Sequence, residues 1–164
     1  MIAAFDVHYL PDGKASAAAV LFNEYTDRHP SLEHTILTDV SSRYIPGQFY
    51  RREMPCILRV IEQFGEMPRE MIVDGYVMLG DRPGLGRHLF DHFAGKVSVI
   101  GVAKSKYKGS TGIEVLRGRS DRPLYVTAAG SDPAAAAEKI RVMYGPHRLP
   151  ALLKRVDLLA RGAV

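Results

Sequence analysis

Residues 2–22 read IAAFDVHYLPDGKASAAAVLF, two apolar runs separated by a Pro-Asp-Gly turn at Pro11 to Gly13. Runs of this length, Ile2 to Val7 and Ala15 to Phe22, broken by turn residues, predict an antiparallel hairpin. Asp6 interrupts the first run. An acid inside an apolar strand is costly to bury unless it is paired or bound to a metal.

Outward from the hairpin, His34 to Thr38 predicts a third strand, followed by Asp39, the polar pair Ser41-Ser42 and the loop Arg43-Tyr44-Ile45-Pro46-Gly47. From Met54 the period changes. Ile57, Leu58, Ile61 and Phe64 recur along one helical face, with Pro55 near the start and Gly65 at the stop. Met71-Ile72-Val73 predicts a short buried strand ending in Asp74-Gly75, and Gly80, Gly84 and Gly86 lead into a helix from Leu85 to Phe93. Further strands are expected at Val97 to Val102, Val115-Leu116 and Leu124 to Ala128. Asp132-Pro133 reads as an N-cap with proline at the first helical position, opening a helix to about Tyr144. A last amphipathic helix covers Ala151 to Arg161. A strand meander followed by alternating strands and helices predicts one α/β domain over residues 1–164, with a mixed sheet flanked by helices.

The chain has 164 residues, 46% of them hydrophobic, enough to bury a core without covalent staples. Its single cysteine, Cys56, excludes an intramolecular disulfide framework and a cysteine-built zinc site, and reads as a packed small thiol. A reducing, cytoplasmic setting is therefore expected. The N-terminus has no basic region, and no apolar stretch approaches the roughly 20 residues of a membrane span, so no membrane partner is expected. The net charge of +4 and a pI of about 9.3 favour a polyanionic partner, although the charges are spread without a basic tract.

The glycines from Gly80 to Gly86 match neither a Walker loop nor a GxGxxG fingerprint, which argues against a nucleotide-binding ATPase. His88 and His92 share helical spacing but lack the glutamate of HExxH, which argues against a zinc peptidase.

Three carboxylates remain: Asp6 inside a strand, Asp74 at a strand end and Glu53 at a helix start. Each has a structural explanation. Glu53 suits a helix N-terminus, Asp74 can open a turn with Gly75, and Asp6 can pair with an arginine. Together they form an oxygen-ligand set for Mg²⁺ or Mn²⁺, a site suited to phosphoryl chemistry.

The blocks Phe5-Asp6-Val7, Tyr44-Ile45-Pro46-Gly47 with Arg52-Glu53, Asp74-Gly75 and Ile100-Gly101-Val102-Ala103-Lys104 resemble endonuclease V, as do Leu149-Pro150 and Asp157 near the end. The blocks stand in that family's order over nearly the whole chain. The resemblance implies a ribonuclease-H-like fold and Mg²⁺- or Mn²⁺-dependent cutting of DNA or RNA 3′ to deaminated adenine, that is, inosine. It implies that Asp6, Glu53 and Asp74 hold the metal and that Lys104 lies near the scissile phosphate. Tyr44, Ile45 and Pro46 resemble the family's wedge beside the damaged base, and Gly47 and Gly75 its main-chain contacts to that base. Arg82 stands where the family has an arginine.

The chain also departs from the pattern. Gly80-Asp81-Arg82 replaces a His-Pro-Arg sequence, and Gly130-Ser131-Asp132 replaces a Gly-His pair that the resemblance associates with the metal. Asp132 or Ser131 either takes over a ligand's place or serves the helix alone, Asp132 as its cap. A second reading is a relative that binds nucleic acid without cutting it, or with altered selectivity. Oligomeric state is open, a monomer being sufficient.

Overall fold

The computed structural model describes residues 1–40, 43, 45, 46 and 48–162. It opens with three antiparallel strands, β1 (Ile2–Tyr9), β2 (Lys14–Phe22) and β3 (Leu32–Asp39). The predicted turn joins the first two: Asp12 accepts from the Lys14 amide at 3.1 Å, and Gly13 takes a positive φ of 81°. Helix α1 (Tyr50–Ile61) leads to β4 (Glu70–Asp74). A small hairpin of β5 (Met78–Leu79) and β6 (Arg82–Pro83) precedes α2 (Leu85–His92). Strands β7 (Ser98–Ala103), β8 (Ile113–Val115) and β9 (Leu124–Ala129) follow, then α3 (Pro133–Val142) and α4 (Ala151–Ala160).

The main sheet runs β3-β2-β1-β4-β7-β9-β8. Pairs β1/β4 and β4/β7 are parallel, and the outer pairs are antiparallel, which makes the sheet mixed as expected. Side chains alternate across it. Ile2, Ala4, Ala18, Val20, Ile72 and Ile100 face one core with α3 and α4, while Ala3, Phe5, Ala17, Ala19, Met71 and Val99 face another with α1 and α2. The run of alanines in β2 is buried on both faces, and its small side chains let a helix approach from each side.

Two local expectations shift. Helix α1 starts one turn before Met54, so Pro55 lies inside it and deletes one backbone hydrogen bond rather than marking the start. The stretch from Met78 to Pro83, expected as loop, pairs into β5 and β6.

Candidate active site

Strands β1 and β4 pair in parallel with Ile2 opposite Glu70 and Ala4 opposite Ile72. Continuing that register places Asp6 level with Asp74, on neighbouring strands about 4.8 Å apart. Period-two alternation turns both carboxylates to the face carried by Ala4 and Ile72, against which α4 packs. From that helix Asp157 approaches, only 7% exposed. Asp6, Asp74, Asp157 and Lys104 line one small cavity of about 30 Å³ with an apolar floor including Ile72 and Val156. That is about one water's share of liquid volume, room for a single water or small ion.

The electrostatics of the cavity are those of crowded anions. Burial, then the charges of Asp74 and Asp157, push the Asp6 carboxyl up to about 6 against the counter-effects of the Val7 amide and Lys104. Asp74 is open to water at the cleft mouth but enclosed by protein on its other sides. Burial raises its pKa, Lys104 and the Gly75 amide pull it back, and Asp157 adds to the rise. Asp157 shifts the other way: burial opposes its ionisation, but hydrogen bonds from Arg161 at 3.0 Å and Lys154 at 3.2 Å outweigh burial and hold it below the usual range.

Glu53 reaches the same end of the sheet from the opposite face, in the first turn of α1. Burial followed by the charges of Asp74 and Asp6 pushes its carboxyl up to about 8. The start of α1 is held against α2 by a Tyr50–His88 ring stack with centroids 3.6 Å apart. Between these elements lies a second cleft of about 390 Å³, walled by Tyr50, Glu53, Gly75, Tyr76 and Leu85. Asp74 and Lys104 line both cavities and so mark the point where they meet.

The strand ends that carry these groups pack at close quarters. A Cβ added at Gly101 would stand 2.6 Å from the Gly75 carbonyl oxygen and 2.7 Å from Thr127 Oγ1, so only glycine fits there. Val102 accepts the Gly75 amide at 3.0 Å, which fixes the turn after Asp74 to β7 two residues before Lys104.

Among the described residues no three His, Cys, Asp or Glu side chains close into a complete metal cage. The donors nevertheless fit a hard cation that keeps most of its waters and takes only one or two carboxylates directly, as Mg²⁺ does. Such an ion would neutralise carboxylates that, like Asp6 and Glu53, have their pKa raised by neighbouring acids.

Asp6, Glu53, Asp74, Gly75 and Lys104 are thus brought together. Ile45 and Pro46 are exposed, and Tyr44 and Gly47 lie outside the described residues. Arg82 is exposed on β6 and lines neither cavity. Of the two readings open for Asp132 and Ser131, the structure shows the helix cap and does not bring either residue to the site. Strand β9 runs antiparallel to β7, with Ala129 opposite Val99 and Tyr125 opposite Ala103. A Cβ on Gly130 would lie 3.3 Å from Ser98 Cα, so the residues after β9 sit at the far end of β7, about 20 Å from Lys104. Asp132 caps α3 there, accepting the Ala135 amide at 3.0 Å. The additional carboxylate at the site is Asp157, which sequence reasoning noted only as part of a terminal segment. Its signal is an acid on the apolar side of α4, among Leu153, Val156 and Ala160.

The sequence model of the Endonuclease V family matches residues 1–142. The Endonuclease V of Xylella fastidiosa (strain Temecula1 / ATCC 700964) is 28% identical over 110 residues, covering 66% of this chain and 45% of that protein. That of Xanthomonas oryzae pv. oryzae (strain PXO99A) is 32% identical over 112 residues, covering 67% and 46%. The matched region spans about half the length of these relatives. In structure, the chain is similar to Endonuclease V from Streptomyces avermitilis, with TM-score 0.82, 24% identity and coverage of 98% of this chain and 79% of that one. Ciona intestinalis Endonuclease V, solved with a 24mer DNA containing an inosine followed by a ribo-adenosine, gives TM-score 0.81, 17% identity and coverage of 98% and 84%. These likenesses establish a ribonuclease-H-like mixed sheet flanked by helices.

Proposed function

The chain belongs to the endonuclease V family, and on that premise we propose that it is a metal-dependent endonuclease, a single domain over residues 1–164, hydrolysing a phosphodiester in DNA or RNA 3′ to a deaminated base such as inosine. The observation that carries this reading is the convergence of Asp6, Asp74 and Asp157 with Lys104 on one water-sized cavity, with Glu53 opposite.

Asp6 and Asp74 would hold Mg²⁺ or Mn²⁺, with Glu53 and Asp157 completing the anionic surroundings. When bound, the ion supplies neutralisation of phosphate charge and a more acidic water. Lys104, a point charge at the junction of the two cavities, orients the phosphate. Arg161 and Lys154 keep Asp157 ionised. Burial and the charges of Asp74 and Asp6 disfavour the Glu53 carboxylate in the ion-free site, and a bound cation would favour it. The larger cleft offers room for one unstacked base against Tyr50 and Leu85, with Gly75 presenting main chain to it. Exposed Ile45 and Pro46 would belong to the wedge that the resemblance assigns to Tyr44, Ile45 and Pro46, filling the gap such a base leaves; Arg82 would meet the strand outside the cleft.

The test is cutting of an end-labelled oligonucleotide with one inosine, with Mg²⁺, with Mn²⁺ or with chelator. Cleavage 3′ to inosine that requires the ion and disappears in Asp6→Asn and Asp74→Asn is the expected result. Binding of the oligonucleotide without any cleavage would overturn it in favour of the non-catalytic reading.

A further inference from the structure

Residues 104–108 read Lys-Ser-Lys-Tyr-Lys, three cations in five residues with no acid among them. All five are exposed. Several surface arginines, Arg59, Arg87, Arg141, Arg155 and Arg161, each pair with a carboxylate. Among the described residues, Lys104, Lys106 and Lys108 are in no ion pair within 4 Å. Three such charges within five residues thus stand together where β7 runs out beside the carboxylates.

An exposed loop ordinarily gives its backbone to water. This one is held by side chains from outside. The Tyr76 hydroxyl donates to the Ser105 carbonyl at 2.7 Å and accepts from the Tyr107 amide at 3.0 Å. Tyr76 is itself 7% exposed, two residues beyond Asp74. Arg148 donates to the Lys104 carbonyl and, at 2.7 Å, to that of Pro123. Three main-chain groups within four residues are thus fixed to the turn after Asp74 and to the approach to α4. The rotamer freedom of the lysines remains, but the backbone cost of ordering the loop on a ligand is met in advance.

We propose that residues 104–108 form a preformed subsite for the sugar-phosphate backbone flanking the scissile bond, in which Lys106 and Lys108 contact phosphates and Tyr76 is the positioning residue that locks the loop. The subsite rests on the nuclease reading for its place beside the reacting phosphate, but its binding is measurable without cleavage. The partner chemistry is a phosphodiester strand, because open ammonium groups in a row, on a loop beside a base-sized cleft, match a chain of singly charged phosphates.

The experiment measures binding of a fluorescein-labelled single-stranded DNA oligonucleotide in Ca²⁺ as salt rises from about 50 to 200 mM, with each protein folded by circular dichroism. K106A/K108A is expected to lower the slope of log affinity against log salt by about 1.4, two single-strand contacts. Tyr76→Phe keeps the ring and loses both bonds. It should weaken binding about fivefold and leave the slope unchanged, since no phosphate contact is removed. An unaltered slope in the double variant overturns the subsite, and wild-type affinity in Tyr76→Phe overturns the lock. Should Tyr76→Phe fail to fold, hydrogen exchange on the unaltered protein decides: the Tyr107 amide should be protected although its loop is exposed, and exchange at the random-coil rate overturns the lock. Absence of inosine cutting alongside a lowered slope would remove the nuclease reading and leave the subsite standing.

Discussion

Asp157 of the last helix and Asp6 of the first strand face each other across a cavity the size of one water, and the negative charge of the first raises the pKa of the second. The two residues are 151 positions apart in sequence. Their meeting places a helix-borne acid beside two strand-borne ones. Asp157→Asn is therefore expected to lower divalent-ion affinity and the cutting rate by tenfold or more, in the range of about 10–100-fold seen when groups around a metal site are changed. Titration of the melting temperature with Mn²⁺ checks the first effect, and single-turnover cleavage the second.

Asp132 provides the contrasting case. Asp132→Ala removes the cap acceptor of α3 and should cost about 1 kcal/mol of stability. Ion affinity and cutting should match the unaltered protein, because the cap lies at the opposite end of β7. A fall in ion affinity would return Asp132 to the ligand set.

The carboxylate cluster also makes a pH prediction. Asp6 and Glu53 have folded-state pKa values of about 6 and about 8, above those of the unfolded chain. Between the two states' values the folded protein binds more protons, so without divalent ions stability falls as pH rises from about 4 toward 8. Added Mg²⁺ or Mn²⁺ should raise the melting temperature more at pH 8 than at pH 5. Asp6→Asn should stabilise the ion-free protein at pH 8 while abolishing cleavage, a separation readable by calorimetry and the oligonucleotide assay.

Glu70 has the reverse sign. It is 4% exposed and takes hydrogen bonds from Tyr25, from Ser98 at 2.8 Å and from Lys139 at 3.0 Å. Burial opposes its charge, but these donors outweigh burial and lower its pKa. Its contribution is complete above the unfolded pKa of about 4.3 and is lost as pH falls through the lower folded value. Glu70→Ala, which strands these donors around a void, should cost about 3 kcal/mol or more at pH 7 by urea unfolding, and less in acid.

The strands were legible because apolar runs of the right length are bounded by turn residues, and Asp6 stood out as the acid that such a run should not contain. The start of α1 was not, since Tyr50-Arg51-Arg52-Glu53 carries no apolar period and Pro55 imitates a first turn. Strands β5 and β6 escaped for the opposite reason: two residues each are too few to show alternation. Within the site, Asp6, Glu53, Asp74 and Lys104 were legible from their blocks. Asp157 was not, because its role depends on where α4 lands. Asp132 was legible as a cap because a local cap signature is readable in sequence, whereas its distance from the site was not, because the direction in which β9 returns is not readable.

Strand β4 carries Glu70 at its first residue and Asp74 at its last, about 13 Å apart. One end is satisfied by three donors and the other is crowded with like charges. A protein engineer could harden the molecule from the Glu70 end, by tightening α3 against β4 and β7, without disturbing the reactive pole. Conversely, losses of robustness incurred while reshaping the cleft could be repaired at that remote anchor, which would make the scaffold a tolerant starting point for directed evolution.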